Sequence, residues 1–286
     1  MKKEYLMSAI TIICWSTLPP MTKLLLQELS NMDVLFFSSA IAALFLCFIL
    51  IVTGKWRLVL TYKISDMFQL VVLGFVGNFL YSFLYYNGLA ALTSRDACII
   101  NYLWPIITVL FSCIFLKERP SAKKILAILI SFSGVFLIAT KGNGIAEISP
   151  DNAGGIISCI LAAICYGAFN VLNKLKGKDQ FINMTIYFFT TAFCSGICYF
   201  ISGHVVVLHN AQIIGIIWLG IFIDAIAFLL WALALQNSEA SFLANFAYAT
   251  PVLSMIFSIV FLHEAIDFYS IIGLVLILSS FFLQFY

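Results

Sequence analysis

Asp224 is the residue whose type and position in this sequence point most directly to chemistry. It is the one carboxylate that we place well inside a long apolar segment, residues 211–235. A carboxylate in such surroundings is costly unless it has a partner or a task. Two tasks suit it, namely binding the amino group of a solute or taking up and releasing a proton. A structural carboxylate held by hydrogen bonds is the third possibility.

Aromatic and amide side chains recur on single helix faces of the other apolar segments. Residues three or four apart share a helix face, and polar groups on that face are costly against lipid. We therefore expect these faces to meet around a wet cavity. The predicted solute-binding residues are Trp15, Asn78, Tyr81, Tyr85, Asn101, Trp104, Tyr166, Asn170, Asp224, Trp231, Asn245 and Tyr248.

The same residue types also have plainer uses. With 28 Phe and 12 Tyr in the chain, some of these aromatics are ordinary packing or interface residues. Asn170 and Asn173 also suit hydrogen bonds between helices. The eight cysteines lie in or beside apolar segments, as packing residues do. The sequence has no spaced His, Ser and Asp group and no GxxxxGK[ST] motif, so we expect no enzyme activity, metal site or cofactor.

Prolines interrupt three of the apolar segments. A proline removes a backbone donor and bends a helix, which is useful where the bend opens a cavity. The bland alternative is that membrane helices simply carry more proline than soluble ones. The predicted gating or hinge positions are Pro19, Pro105 and Pro251.

The composition is that of a membrane protein. The 286 residues are 63% hydrophobic and 10% charged, with a mean hydropathy of +1.08, and a net charge of +2 gives no reason to expect nucleic acid. The predicted fold class is an all-α polytopic membrane protein with ten transmembrane helices. The predicted spans are 5–27, 33–53, 67–91, 95–116, 122–140, 153–174, 181–202, 211–235, 240–262 and 266–285.

Lys and Arg residues predict the orientation of these spans. With the N-terminus in the cytoplasm, twelve of the 15 basic residues fall in cytoplasmic segments and three on the other side. The three are Lys23, Arg95 and Lys141. Both termini are therefore predicted to be cytoplasmic.

Two pairs of segments indicate an internal repeat. CWSTLPPMTKL (14–24) matches CYGAFNVLNKL (165–175), and YLWPIITVLFSCIFLKE (102–118) matches YATPVLSMIFSIVFLHE (248–264). The second pair ends on Glu118 and Glu264, for which a structural or gating role is expected. Each repeat contains five predicted spans, and an odd number inverts the second copy in the membrane. The predicted units are 1–141 and 150–286, two inverted five-helix repeats.

These features resemble the drug/metabolite transporter superfamily, EamA type, over essentially the whole chain. CWST in span 1, NYLWP in span 4, NK at 173–174 and TPVLS at 250–254 are similar to its branch of aromatic amino acid exporters. That resemblance implies an inner-membrane exporter of aromatic and other neutral amino acids with a central, largely apolar cavity. Pro19-Pro20 and Asp224 fall outside the pattern. The matching positions are Trp15, Asn101, Tyr102, Trp104, Asn173 and Tyr248.

The expected function is secondary or facilitative transport of amino acids or similar small metabolites by alternating access. The expected partners are a small-molecule solute and the lipid bilayer, with protons as a candidate coupling ion. The alternative is a proton-coupled efflux carrier for cationic compounds. Such carriers are expected to hold a Glu within their first span, and this chain has no carboxylate between Glu4 and Glu28. The expected location is the inner membrane, with multiple passes.

Overall fold

A computed structural model describes residues 2–115, 122–140, 150–176, 178–203, 206–237, 247, 249–265 and 267–283. The regular secondary structure of this part of the chain is entirely helical. The helices are α1 Lys2–Leu25, α2 Asn31–Val52, α3 Trp56–Val59, α4 Ile64–Gly74, α5 Tyr81–Ala91, α6 Ser94–Asn101, α7 Trp104–Phe115, α8 Ala122–Thr140, α9 Pro150–Lys176, α10 Gln180–Ser202, α11 Asn210–Ile217, α12 Phe228–Asn237, α13 Ala249–Leu262 and α14 Phe268–Leu283.

Two further segments are π-helical. The segment π1, Phe75–Leu80, joins α4 to α5, and the segment π2, Trp218–Ala227, joins α11 to α12. A π-helical turn widens the helix and shifts the side chains that follow it, and such turns are frequent at functional sites. Asn78 lies in π1 and Asp224 in π2, 146 residues apart, which is the shift between the matching segments 102–118 and 248–264. Hydrophobic periodicity had not indicated either segment.

The chain is an integral membrane protein. Within the described residues, five helical stretches are long and apolar enough to cross a bilayer, and α13 and α14 are shorter apolar helices. The five stretches are Asn31–Val52, Ile64–Ala91, Asn152–Leu175, Gln180–Ser202 and Asn210–Gln236.

Local sequence explains where several helices begin. The Ser30 hydroxyl accepts from the Asp33 backbone N–H, and the Asp33 carboxylate accepts from the Ser30 N–H, which is a capping box at the start of α2. Thr93 caps α6, and Asp179 caps α10. Gly203 follows α10 with a φ of 69°, a left-handed conformation that glycine adopts without strain.

The predicted span 95–116 is two helices. The chain leaves α6 at Tyr102 and starts α7 at Trp104, so Pro105 falls in the first turn of α7. A proline is tolerated there because its missing N–H would have no helical partner. Pro251 lies in α13, and Pro19 lies inside the continuous helix α1. Position 248, just before α13, is outside the described part of the chain, so a second bend at Pro251 stays a prediction.

Helix packing pairs elements from the first half of the sequence with elements from the second half. The most extensive contacts join α2 to α10 and α8 to α14. Helix α9 packs on α5 and α7, and α1 packs on α12, π2 and α13. Segment π1 lies against α10, and π2 lies against α2. Helices α1 and α9, which begin the two predicted repeats, therefore have equivalent neighbours.

Gly220 lets π2 approach α2 closely. A Cβ at position 220 would lie 2.7 Å from the Ser38 carbonyl oxygen and 2.8 Å from the Ile41 side chain. A backbone atom cannot move aside without shifting the helix, so overpacking of this kind costs about 1–3 kcal/mol. Because glycine occupies this position, the two helices can lie close together.

We expect Gly220→Ala to lower the thermal unfolding temperature of the detergent-solubilised protein. Gly154→Ala is the matched control, because a Cβ there has no atom within 4 Å. Both changes stabilise their helix by about 1 kcal/mol through the higher helix propensity of alanine. The difference between the unfolding temperatures of the two variants therefore measures the packing at Gly220. Equal unfolding temperatures for the two variants would contradict close packing at Gly220.

Candidate functional site

One cavity lies among residues of α1, α5, α6, α7, α9 and α12, most of them aromatic. Its volume is about 30 Å³, room for two or three water molecules at most, since a water needs about 10–15 Å³ on this measure. It is lined by Trp15, Leu18, Pro19, Tyr81, Tyr85, Cys98, Asn101, Tyr102, Trp104, Tyr166 and Phe228. In this conformation the site is therefore contracted, and a larger solute must push its walls apart.

Four aromatic side chains meet around Trp15. Its ring centroid lies 5.2 Å from that of Trp231, 6.1 Å from that of Tyr166 and 6.5 Å from that of Trp104. Phe228 is 5.4 Å away and nearly perpendicular. Edge-to-face arrangements of this kind are favourable by about 0.5–1.5 kcal/mol per pair beyond burial. The wall of the cavity is thus a set of aromatic faces and edges that can re-form around a planar apolar group.

Three polar atoms in this wall have no hydrogen-bond partner. One is the Tyr166 hydroxyl, which can donate or accept, and the other two are the Trp15 indole nitrogen Nε1, a donor, and the Asn101 oxygen Oδ1, an acceptor. The Asn101 amide nitrogen donates to the Tyr81 hydroxyl at 3.3 Å. Buried polar atoms without partners cost about 1–3 kcal/mol each, and they are rare in native proteins. A solute with one acceptor and one donor next to an apolar body would satisfy the Trp15 and Asn101 atoms.

The break between α6 and α7 presents Asn101 and Trp104 to this cavity. Asn101 is the last residue of α6 and Trp104 the first of α7, so both project from helix ends. On α1, Pro19 lines the cavity and has no N–H to donate to the Trp15 carbonyl, four residues before it. The prolines therefore expose backbone acceptors close to the aromatic residues.

Seven of the fifteen predicted site and hinge residues line the cavity: Trp15, Pro19, Tyr81, Tyr85, Asn101, Trp104 and Tyr166. Trp231 packs behind them, 5.7 Å from Trp104, and its indole N–H donates to the Asn170 oxygen at 3.2 Å. Asn170 thus orients a wall residue from behind.

Other predicted residues lie elsewhere. Asn78 is buried in π1 and neither amide atom has a hydrogen-bond partner. Asp224 is buried in π2 beside Ser38, and it is not among the lining residues. Pro105, in the first turn of α7, and Pro251, in α13, are not among the lining residues. Asn245 and Tyr248 lie outside the described residues.

Four lining residues were not among the predicted site and hinge residues: Leu18, Cys98, Tyr102 and Phe228. Leu18 and Cys98 are apolar, so a search for polar stripes passes over them. Each is three residues from a predicted lining residue, Trp15 and Asn101, on the same helix face. Helical spacing from those two residues is the signal that could have found them. Asn173, by contrast, is bound by the Tyr187 hydroxyl at 2.9 Å and donates to Gln180, so it joins α9 to α10.

A charged network closes one end of the helix bundle. The Arg95 guanidinium binds the Asp267 carboxylate at 2.9 Å and the Ala265 carbonyl, and it lies 3.4 Å from Asp96. The Glu264 carboxylate accepts from the Ser94 backbone N–H at 2.8 Å. Arg95 is only 4% exposed. We call this group the Arg95 network, and it joins α6 to the segment between α13 and α14.

A second charged network lies at the opposite end, because α2 runs back across the bundle from the end of α1. Lys55 binds Asp179 at 2.6 Å, and Lys178 binds Asp66. The Lys178 ammonium also lies 4.6 Å from the centre of the Tyr62 ring. We call this group the Lys178 network. Its side chains are 22–33% exposed, so its pairs are weaker than those of the Arg95 network.

Comparison with known proteins places the chain among transporters. The model of the EamA-like transporter family matches residues 2–140 and again residues 153–286. Two matches of one model along one chain account for nearly all of its length.

Individual relatives are distant. The chain is 25% identical over 188 residues to the aromatic amino acid exporter YddG of Ancylobacter novellus, a match that covers 65% of each protein. It is 25% identical over 291 residues to an uncharacterized transporter of Archaeoglobus fulgidus, covering 98% of this chain and 96% of the relative. A solved crystal structure that is 21% identical superposes with a TM-score of 0.73 and covers 99% of this chain and 96% of that one. The last likeness concerns the fold alone.

Replacing Trp231 tests the aromatic geometry without a solute. We expect Trp231→Phe to remove a large part of the near-ultraviolet circular dichroism, because its indole lies 5.2 Å from that of Trp15 and 5.7 Å from that of Trp104. Trp56→Phe is the control, since Trp56 is 48% exposed. Equal losses in the two variants would mean that the three indoles do not form one cluster.

Proposed function

Since this chain belongs to the EamA-like transporter family and is a transporter rather than an enzyme, we propose that it carries aromatic or other neutral amino acids through the aromatic cavity. The observation that supports this substrate class is the pairing of an aromatic wall with an unpartnered donor on Trp15, an unpartnered acceptor on Asn101 and the unpartnered hydroxyl of Tyr166. The family relationship supports transport, and the exporter of Ancylobacter novellus, whose name states aromatic amino acids, agrees with the chemistry of the wall.

Each part of an aromatic amino acid has a counterpart in this wall. The side-chain ring replaces the contacts that Trp15, Trp104 and Tyr166 now make with one another. The solute carboxylate accepts from the Trp15 indole N–H, and its ammonium donates to the Asn101 oxygen. Hydrogen bonds to charged groups contribute about 1.5–3 kcal/mol, so the amino acid backbone adds recognition that a bare aromatic ring lacks.

The proposed mechanism is alternating access by two inverted five-helix repeats, with ten spans and boundaries at 1–141 and 150–286. Three observations support it: the family model matches twice, π-helical segments hold Asn78 and Asp224 at equivalent places, and α1 and α9 have equivalent neighbours. Both charged networks join one proposed repeat to the other. When the Arg95 network and the Lys178 network are both closed, the cavity is occluded. Opening one network at a time admits solute from one side of the membrane.

The proposed orientation is that both termini and the Lys178 network face the cytoplasm, as the distribution of basic residues predicts. The buried Arg95 network is the harder one to open, because separating a buried charge pair leaves charges without partners. The more exposed Lys178 network opens at a smaller cost. Binding of solute from the cytoplasmic side is therefore favoured in the resting protein. This preference suits an exporter of the inner membrane, one that needs no bound cofactor.

Cationic compounds are the second candidate solute class. An aromatic box attracts organic cations through the faces of its rings, and Trp15, Trp104, Tyr166 and Trp231 form such a box. No carboxylate is among the residues that line the cavity, which favours a solute that carries its own balancing charge. A panel that includes tetraphenylphosphonium separates the two classes.

The first test is solute counterflow in proteoliposomes. We expect exchange of tritiated L-phenylalanine and L-tryptophan and no exchange of tetraphenylphosphonium. Asn101→Leu should weaken the apparent affinity by about ten- to a hundredfold, because it removes a hydrogen bond to a charged group worth about 1.5–3 kcal/mol. Trp15→Phe should weaken it in the same direction, since phenylalanine has no N–H.

The controls for this test lie outside the aromatic wall. Gln27→Leu and Trp56→Phe also replace a carboxamide and an indole, but at exposed positions. Both variants should exchange solute as the wild type does. Wild-type affinity in Asn101→Leu and Trp15→Phe together would remove the cavity from solute recognition. Exchange of tetraphenylphosphonium without exchange of amino acids would establish the second candidate.

The second test locks the end of the bundle that holds the Arg95 network. The hydroxyl oxygens of Ser94 and Ser258 lie 2.7 Å apart, one in each proposed repeat. We expect the double variant Ser94→Cys with Ser258→Cys to form a disulfide on oxidation and to lose nearly all counterflow, and we expect a reductant to restore it. The reason is that this end must open in every cycle.

Each single cysteine variant under the same oxidant is the control, because the chain has native cysteines. Mass spectrometry of the digested protein verifies the 94–258 bond. Undiminished counterflow in the fully cross-linked protein would contradict alternating access at this end.

A further inference from the structure

Asp224 lies in a buried polar group that the proposed solute path does not use. Its neighbours are Ser38 on α2, which faces the carboxylate, and Tyr86 on α5, whose hydroxyl lies beside those of Ser38 and Thr22. Asp224 is 6% exposed, Tyr86 2%, and Ser38 and Thr22 are fully buried. The hydroxyls of Ser38 and Thr22 complete no hydrogen bond of normal geometry. We call these four residues the Asp224 cluster.

No cation neutralises Asp224 within the described part of the chain. The ionisable groups within electrostatic reach are the phenols of Tyr81 and Tyr86, which are uncharged near neutral pH. Segments α11 and α12 contain no ionisable side chain, and α2 contributes Asp33 in its first turn and Cys47.

Lys23 is the basic residue next in sequence to Thr22, and its ammonium is already engaged. It donates to the carbonyls of Leu89 and Leu92 at 2.6 and 2.7 Å and to that of Ala90 at 3.1 Å, and its electrostatic partner is Glu264. A buried carboxylate with hydroxyl neighbours but no cation is costly when ionised. The carboxyl of Asp224 is therefore more stable with a proton or another small cation bound than as a bare anion.

The position of Asp224 connects it to the cavity wall. Phe228 follows one helical turn later, lines the cavity and packs against Trp15. Tyr81 also lines the cavity, and it lies within electrostatic reach of Asp224. Because the π-helical geometry of π2 is less regular than an α-helix, a change in the Asp224 charge can shift the turn that carries Phe228. Close packing at Gly220 fixes Ser38 beside this turn.

We propose that Asp224 is a proton-binding site that couples solute transport to a proton gradient, an inference that rests on the proposed transport function. On one side of the membrane an Asp224 oxygen takes a proton from hydronium, which leaves as water. On the other side the O–H bond breaks and a water takes the proton. The Ser38 hydroxyl then turns to donate to the carboxylate, and the Tyr86 hydroxyl donates to that of Ser38. The solute amino group is the less suitable partner, since Asp224 does not line the cavity.

Infrared spectroscopy tests the proton site without any solute. A pH titration of the purified wild-type protein should show a carboxylic acid C=O band that disappears as the pH rises, and Asp224→Asn should lack it. Glu28→Gln, an acid-to-amide change at an exposed residue that accepts from Gln212, should keep it. Ser38→Ala retains the carboxyl and should move the midpoint. Identical titrations of wild type and Asp224→Asn would overturn the proposal.

Transport in proteoliposomes tests the coupling. With a pH gradient, the wild type should accumulate tritiated L-phenylalanine above equilibrium in one polarity, with an acidic interior for antiport and an acidic exterior for symport. In Asp224→Asn, the internal concentration of L-phenylalanine should fall to the equilibrium level with either polarity of the pH gradient. Glu28→Gln should behave as the wild type. Wild-type counterflow without accumulation in either polarity would overturn the coupling and leave the solute site intact.

The remaining outcomes are equally decisive. Loss of affinity in Asp224→Asn for L-phenylalanine but not for 3-phenylpropionate, which lacks the amine, would show an amine site and overturn the proton role. Absence of any counterflow by the wild type would refute the proposed function instead. The infrared titration would then still decide whether Asp224 exchanges a proton.

Discussion

The structure depends on one constraint, which is that every backbone polar group inside a bilayer needs a partner within the protein. The break between α6 and α7 is accordingly at buried positions, Tyr102 and Leu103, which are 4% and 0% exposed. Six of the ten residues of π2 are buried, and the Thr11 hydroxyl donates to the Ala227 carbonyl at 3.2 Å. The irregular backbone and the chemistry occur together because both need the protected interior.

The aromatic cavity combines weak ring contacts with polar atoms that lack hydrogen-bond partners. Each ring contact contributes little, so a solute can replace several of them without a large barrier. The Trp15 N–H and the Asn101 oxygen gain more from a solute than from the empty site, because both lack partners. A transport site needs this balance, since a solute that bound very tightly would not leave. Asn170 keeps Trp231 in position from outside the cavity, which leaves the inner faces free to rearrange.

The two ends of the bundle are built differently from the middle. Charged pairs hold the ends, and hydroxyls, amides and rings fill the centre. Charges at the ends can exchange protein partners for water as they separate, whereas charges at the centre cannot. Asp224 is the exception, and its hydroxyl neighbours can stabilise either protonation state by turning.

The sequence by itself determined the membrane class, the positions of the long apolar helices and several of the helix faces that line the cavity. Apolar runs of about 20 residues have few alternatives to helix in a bilayer, and helical spacing places Trp15, Tyr81, Asn101, Trp104 and Tyr166 on inward faces. The tertiary structure alone decided which faces meet. It assigned Asn170 and Trp231 to support, brought the apolar Leu18 and Cys98 into the lining, and separated Asp224 from the cavity. Periodicity could not reveal this, because it fixes the direction of a side chain around its own helix and says nothing of the neighbouring helix or of π-helical turns that rotate the face midway.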